Sequence, residues 1–437
     1  MSKVAPLIIM LLMLLMLIVS WSNVFSYTEK KKVEYNEHIA AAEAYMEKEI
    51  YIDAVKEYEA ALKLCPDDYE VSLRVVELYQ KLGDNKSYID ACQKAIDADK
   101  TKVEPYIWLS DYYIENGNYT KAYKYLKQAV EYTDENEEII KRINLAKSQY
   151  TLVSLDYDTF SGWLYEDGGK IGYAKVSVNG EYGLLKSDNK SFIKCNYDDI
   201  GPYMNDLIPV QRENEYYYIT KEGYRKLVTD RKAEYLGAFT SSYAPAKIDG
   251  MYGYIDKKTK EYHFEYDYAG CFMNGIAAVK KGDKWGVIDT SFKEVTGWEF
   301  DEILMDEYGI CSAYGVFWAK NGDRYYLYNK SGEKISDGFE DVKLFASNED
   351  AAFKQNGKWG FINKSGEITI EATYENADSF NLGYAPFCKD GKWGCIDKKG
   401  NILIEPTFEA MKAFSKNGYA YISDDGITKF LVINLYE

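Results

Sequence analysis

The 437 residues carry 53 basic against 70 acidic side chains, a net charge of −17, which repels a nucleic-acid backbone and argues against nucleic-acid partners. Hydrophobic content of 46% with 43 tyrosines marks a chain that buries cores rather than one that stays disordered. Seven cysteines without a CxxC pair, and only His38 and His263, argue against a disulfide framework, a zinc site and histidine catalysis.

Residues 1–27 stand apart. Lys3 precedes VAPLIIMLLMLLMLIVS (4–20), an apolar run able to cross a bilayer core, which takes about 20 residues. A cleaved secretory signal, with Val24 and Ser26 as small residues near the cut, is the competing reading. Lys30, Lys31 and Lys32 oppose Lys3 under the positive-inside rule, so orientation stays open. The expectation is a membrane anchor with the bulk of the chain outside the cytoplasm.

Residues 28–150 repeat with a period of 34. Tyr45, Tyr79 and Tyr113 keep that interval, and so do Ala61, Ala95 and Ala129, and Gly83 and Gly117. Ala54 and Ala122 lie 68 apart, with Tyr88 midway. Apolar residues between them, such as Tyr51, Val55, Tyr58 and Leu62, recur at helical spacing. This pattern resembles the tetratricopeptide repeat family, in "AEAYMEKEIYIDAVKEYEAALKLCPDD" (42–68) and two successors. Pro66 matches the family's closing proline, whereas Lys100 and Asp134 depart from it. The segment 136–150 reads as a capping helix.

Residues 151–437 repeat a different phrase, clearest as "KGDKWGVIDTSFKE" (281–294), "QNGKWGFINKSGE" (355–367) and "KDGKWGCIDKKGN" (389–401). Each reads as strand, tight turn, strand, turn, strand, with Asn356-Gly357 suited to a turn needing positive φ twice. Glycines 183, 253, 286, 360 and 394 mark the clear copies, and Tyr218 and Tyr326 hold that place in degenerate ones. An aromatic ring of one repeat is expected to pack over the glycine of the next. About fourteen residues after each glycine comes an aromatic–acid pair, such as Phe300-Asp301 or Tyr374-Glu375. The phrase resembles that of WG (KWG) repeat proteins, common in bacteria and sometimes joined to tetratricopeptide repeats. The two ends of this region, 151–163 and 419–437, look like complementary partial units. A closed β-propeller of about eight blades is therefore expected, with an open β-solenoid as the alternative.

No phosphate loop, nucleophile elbow or metal-ligand spacing appears, so no cofactor is expected and a non-enzymatic protein is. The DKKG and NKSG turns lack calcium-loop spacing. Burial is the expected fate of the Trp-Gly pairs, ahead of a sugar-stacking platform. The resemblance to tetratricopeptide proteins implies a concave groove along the first helix of each repeat. Its apolar stripe is Ile39, Leu73 and Ile107, flanked by Glu43, Glu77 and Asp111 and by Glu70 and Glu104. One sign of charge suits a protein or basic, partly apolar peptide ligand. The expected function is a membrane-anchored scaffold of a bacterial envelope, and the alternative is cell-wall glycan binding through the β repeats.

Overall fold

The computed structural model describes residues 4–133, 136–165 and 171–433, with the side chains of residues 4–25, 171 and 313 outside the description. The chain divides into two compact units, the first ending at Lys147 and the second starting at Ser148.

The described residues of the first unit form seven helices: α1 (Val4–Glu47), α2 (Tyr51–Leu64), α3 (Tyr69–Leu82), α4 (Asn85–Ala98), α5 (Glu104–Glu115), α6 (Tyr119–Tyr132) and α7 (Glu137–Lys147). Local chemistry sets their ends. The side chains of Asp68, Asp84 and Asn118 accept hydrogen bonds from the backbone N–H groups of Val71, Ser87 and Lys121, capping α3, α4 and α6. Gly83 and Gly117, both at φ 68°, stop α3 and α5 in a left-handed turn that favours glycine. Each helix packs on the next, as in a solenoid. Ala54, Ala61, Ala95, Ala122 and Ala129 are fully buried where helices approach closely. Tyr88 and Tyr113 are buried with them, and Tyr45 and Tyr79 pack half-buried on the same core. Among the described residues no helix is long and apolar enough to cross a membrane. The run 4–20 that carried the anchor expectation lies outside the described side chains, as Asp134 lies outside the described residues.

The described residues of the second unit build eight antiparallel sheets, and the first seven blades follow one another along the chain: 159–197, 199–227, 233–266, 268–289, 302–329, 341–374 and 376–408. The eighth combines 410–433 with the strand Tyr150–Ser154, which pairs with Ile427–Ile433 from Tyr150↔Ile433 to Ser154↔Lys429. Across that seam Trp163 Nε1 donates to the Tyr419 carbonyl at 3.0 Å and Ser415 Oγ to the Ser187 carbonyl at 3.1 Å. Neighbouring blades are tied likewise elsewhere, by Asn205 Nδ2 to the Phe239 carbonyl, Asn274 to Ser312 and Asn381 to Phe414. The unit is a closed eight-bladed β-propeller, and no edge strand is left open at the join.

The hairpin turns explain the aromatic–acid pairs. Asn356 and Gly357 sit at φ 51° and 76°, and Asp390-Gly391 and Asp425-Gly426 repeat that geometry. In every blade the acid at this place accepts a backbone N–H of the turn, although in the third blade Glu234 follows Ala233 and not an aromatic residue. Side-chain length decides which one. Asp158, Asp198, Asp267 and Asp301 reach the first turn residue, at 2.6–2.8 Å. Glu234, Glu340, Glu375 and Glu409 reach the second, at 2.8–3.0 Å, and Glu340 spans both.

These bonds favour the ionised acid. The N–H of Gly391 holds Glu375 below the ordinary carboxylate range, that of Gly426 does so for Glu409, and Lys284 with Gly322 does so for Asp301. A depressed folded-state pKa stabilises the fold above the ordinary carboxylate range, and that stability is lost as pH falls through the folded values. Thermal melts of the full chain should therefore drop between pH 5 and 3. A Glu375→Gln/Glu409→Gln variant should melt a few degrees below the parent at pH 7 and match it at pH 3.

Two expectations are corrected by the strand register. The glycine of the repeated phrase is not covered by the next repeat's aromatic. A Cβ on Gly360 would meet the Ile370 carbonyl oxygen at 2.6 Å, and one on Gly394 the Ile404 carbonyl oxygen at 2.3 Å. Both are backbone atoms of the same blade's outer strand, where the pairing slips by a β-bulge. At Gly253 and Gly286 the close neighbours are Phe264 and Trp298, again of the same blade. In the second blade the glycine position belongs to Tyr217, facing Val210, because the Glu213-Asn214 turn sets the count. Tyr218 is instead fully buried, its hydroxyl donating to the Gly237 carbonyl at 2.8 Å.

Two blades are longer than the rest, and they stand opposite each other. The second turn residue follows the capping acid by 16 or 17 positions in six blades, but by 22 in the first (Asp158 to Gly180) and fifth (Asp301 to Asp323). The additions reach inward. Tyr165 of the first blade donates its hydroxyl to the Phe345 carbonyl of the sixth at 2.6 Å. Tyr308 of the fifth donates to the Ile200 carbonyl of the second at 2.9 Å. Tyr165 meets Met204, Ala238, Cys271, Ile310 and Ala346 in one buried cluster, and a cluster reached from blades around the ring lies on its axis.

Candidate functional site

Ile39, Leu73 and Ile107 are half-buried on the core of the helical unit, one from each of α1, α3 and α5. Glu43, Glu70, Glu77 and Glu104 are exposed on the same three helices. Their charges are not equally available. Glu104 accepts the Tyr69 hydroxyl at 3.0 Å, and Glu77 lies 3.4 Å from an Arg74 nitrogen. Asp111 takes a bidentate bond from Arg142 of α7, at 2.6 and 2.9 Å, and Arg142 also binds Glu138. Asp111 therefore serves to seat the capping helix, and the acidic row of the groove rests on Glu43 and Glu77.

A second feature escaped the sequence reading. On the opposite flank of α3, between α2 and α4, lies a cleft of about 440 Å³. Its apolar lining includes Leu62, Pro66, Val75 and Ala98. Carboxylates outnumber ammonium groups around it, Glu59, Asp67, Asp90 and Asp97 against Lys63 and Lys94. Tyr79 donates to Glu59 at 2.9 Å, and burial together with that carboxylate pushes its hydroxyl up to about 12. Lys94 is held by Asp90 at 2.8 Å. The helical period carries the signal for this face: Ser72, Val75 and Tyr79 project away from Leu73 and Glu77.

In the propeller the chemical candidates turn out to be structural. Asp256, Asn363 and Asp397 each accept two backbone N–H groups within their own turn, at 2.8–3.1 Å. All seven cysteines are free, Cys388 and Cys395 among them. His263 stands at φ 53° against the Phe292 ring, 4.6 Å between centroids. Trp359 is buried, while Trp285 and Trp393 are half-buried. Lys280 covers the Trp285 ring at 5.6 Å and Lys343 the Trp359 ring at 5.1 Å, so cations occupy faces that a sugar would need.

Comparison with known families agrees with both periodicities. The tetratricopeptide repeat family matches residues 103–136, and the WG containing repeat family matches 182–216, 252–285, 359–393 and 393–426. No curated protein matches the chain. Among solved structures, MamA is similar over 26% of this chain at 18% identity and a TM-score of 0.23, and the chain spans 62% of its length. The TPR2B domain of yeast Sti1, solved as a complex with pHsp70, is 25% identical over 26% of this chain and 96% of its own, with a TM-score of 0.22. The Arabidopsis OM64 TPR domain is 18% identical over 27% and 95%, also at 0.22.

Proposed function

We propose that this tetratricopeptide and WG repeat protein, a protein-interaction repeat protein by its repeats, is a non-enzymatic scaffold that captures a basic, partly apolar segment of a partner protein. The observation that carries the reading is the helical array itself, stacked helices presenting apolar residues beside exposed carboxylates, of which Glu77 alone has a cation near it, the exposed Arg74 at 3.4 Å. Ile39, Leu73 and Ile107 supply the apolar stripe, and Glu43 and Glu77, with Glu70 and Glu104 along the other side, supply the charge. Residues 1–27 would tether the scaffold to a membrane, consistent with the apolar run at 4–20.

Charge reversal tests the groove. A Glu43→Lys/Glu77→Lys variant should bind a lysine–leucine peptide at least tenfold more weakly at low salt, read by fluorescence anisotropy, with an unchanged melting curve. Asp111→Lys belongs outside this test, since it sets a second cation against Arg142 and should loosen α7. Equal binding of basic and acidic peptides by the parent chain would sink the proposal.

A further inference from the structure

We propose that the cleft between α2 and α4 is a second, separate docking site, which takes a cation next to an apolar side chain on a partner segment. The inference rests on reading the helical unit as a protein-binding array, and it adds a site on the flank away from the groove.

Shape comes first. About 440 Å³ falls within the range of small-ligand pockets, roughly 300–1,000 Å³, and is room for a pair of side chains rather than a helix. The floor is apolar, with Val75 buried and Leu62 and Ala98 half-buried, so an aliphatic or aromatic group entering it would be desolvated on several sides. Charge then selects the neighbour. Glu59 is engaged by Tyr79 and Asp90 by the Lys94 ammonium, while Asp97 accepts only a neutral hydrogen bond from Gln93 at 3.3 Å. Asp67 in the turn after α2 and Asp97 in the last turn of α4 are exposed and carry no ion pair among the described residues. Both line the cleft, so an ammonium or guanidinium entering beside the apolar group lies in the field of both. Lys63 is the opposing charge at the rim and acts against an anionic occupant less strongly than the two aspartates act for a cationic one.

The occupant is thus a lysine- or arginine-bearing apolar segment, and two substitutions separate its two requirements. Asp67→Lys/Asp97→Lys reverses the charge without touching the floor. Ala98→Trp fills the floor without touching the charge. With the full chain and a fluorescein-labelled alternating lysine–leucine peptide, isothermal titration should give two peptides per parent chain. Each cleft variant should reduce this to one, and Glu43→Lys/Glu77→Lys should likewise leave one, the cleft's. If both cleft variants titrate as the parent, or if the groove variant alone abolishes all binding, the second site is wrong while the groove reading stands. A parent chain that binds no peptide overturns both. Loss with Asp67→Lys/Asp97→Lys but none with Ala98→Trp would also overturn it, because that is diffuse surface attraction rather than a shaped site.

Discussion

Ending the chain at Ser423 should unfold the whole β ring in one transition rather than trim its last blade. The strand Ile427–Ile433 that this removes contributes Phe430 and Leu431, both fully buried, and Ile433 at 3% exposure. Truncating one such side chain costs about 2–5 kcal/mol, so three together reach the whole stability of a typical domain, about 5–15 kcal/mol. The loss also crosses the seam. Phe430 stacks on Trp163 of the first blade at 5.5 Å and meets Phe160 edge-on at 5.4 Å, and Tyr150–Ser154 loses the strand it pairs with. Six of the eight tryptophans lie between residues 163 and 393, so urea unfolding followed by tryptophan fluorescence reports mainly on the ring. A broad transition with most signal retained would show blades that stand independently, as in a solenoid.

Asp306→Asn should stabilise the ring at neutral pH and do nothing below about pH 4. This aspartate belongs to the fifth blade's inward addition. Its Oδ1 accepts the N–H groups of Tyr308 and Ile310 at 3.0 and 2.9 Å, while its Oδ2 is buried without a partner. Loss of solvent, with a smaller contribution from Glu307, raises its pKa from the ordinary 3.8 to about 7. A raised carboxylic pKa works against folding. The deficit is absent while folded and unfolded chains are both protonated, grows as pH rises past the unfolded value, and levels off above about 7. Its ceiling is about 4 kcal/mol, from 1.36 kcal/mol per pKa unit. The amide keeps the Oδ1 acceptor and removes the charge. Melting temperatures of parent and variant should coincide near pH 4 and separate by several degrees at pH 8. A variant less stable than the parent at pH 8 would mean that the ionised carboxylate has a partner it needs.

Both repeats were legible because period is a property of the chain itself. Ala61, Ala95 and Ala129 hold one interval, and the complementary ends of the β region foretold the shared eighth blade. What stayed hidden needed strand register. Tyr374-Glu375 looks like a pair, yet Tyr374 packs in the core while Glu375 caps a turn sixteen residues on. Gly360 announces a close approach but not by what, and only the bulge shows that backbone does the approaching. Asp111 fits the groove pattern as well as Glu43 and Glu77 do, and nothing in the 34-residue period announces that Arg142 holds it. The cleft is invisible for another reason: its lining comes from three helices, and its volume depends on how far apart α2 and α4 settle.

The seam of the eighth blade has a mechanical side. Tyr150↔Ile433 is the outermost of the five residue pairs joining the first strand to the last, and Ser154↔Lys429 the innermost. Because the strands are antiparallel, tension applied across Tyr150 and Ile433 pulls at the same end of the ladder. It loads one residue pair at a time, a peeling geometry, and never shares the load among all five as shear would. The other seven blades lie off the line of force. A ring expected to resist heat and denaturant as one unit should thus yield easily to a pull on Tyr150 and Ile433, with its clasp, and not its weakest core, deciding when it opens.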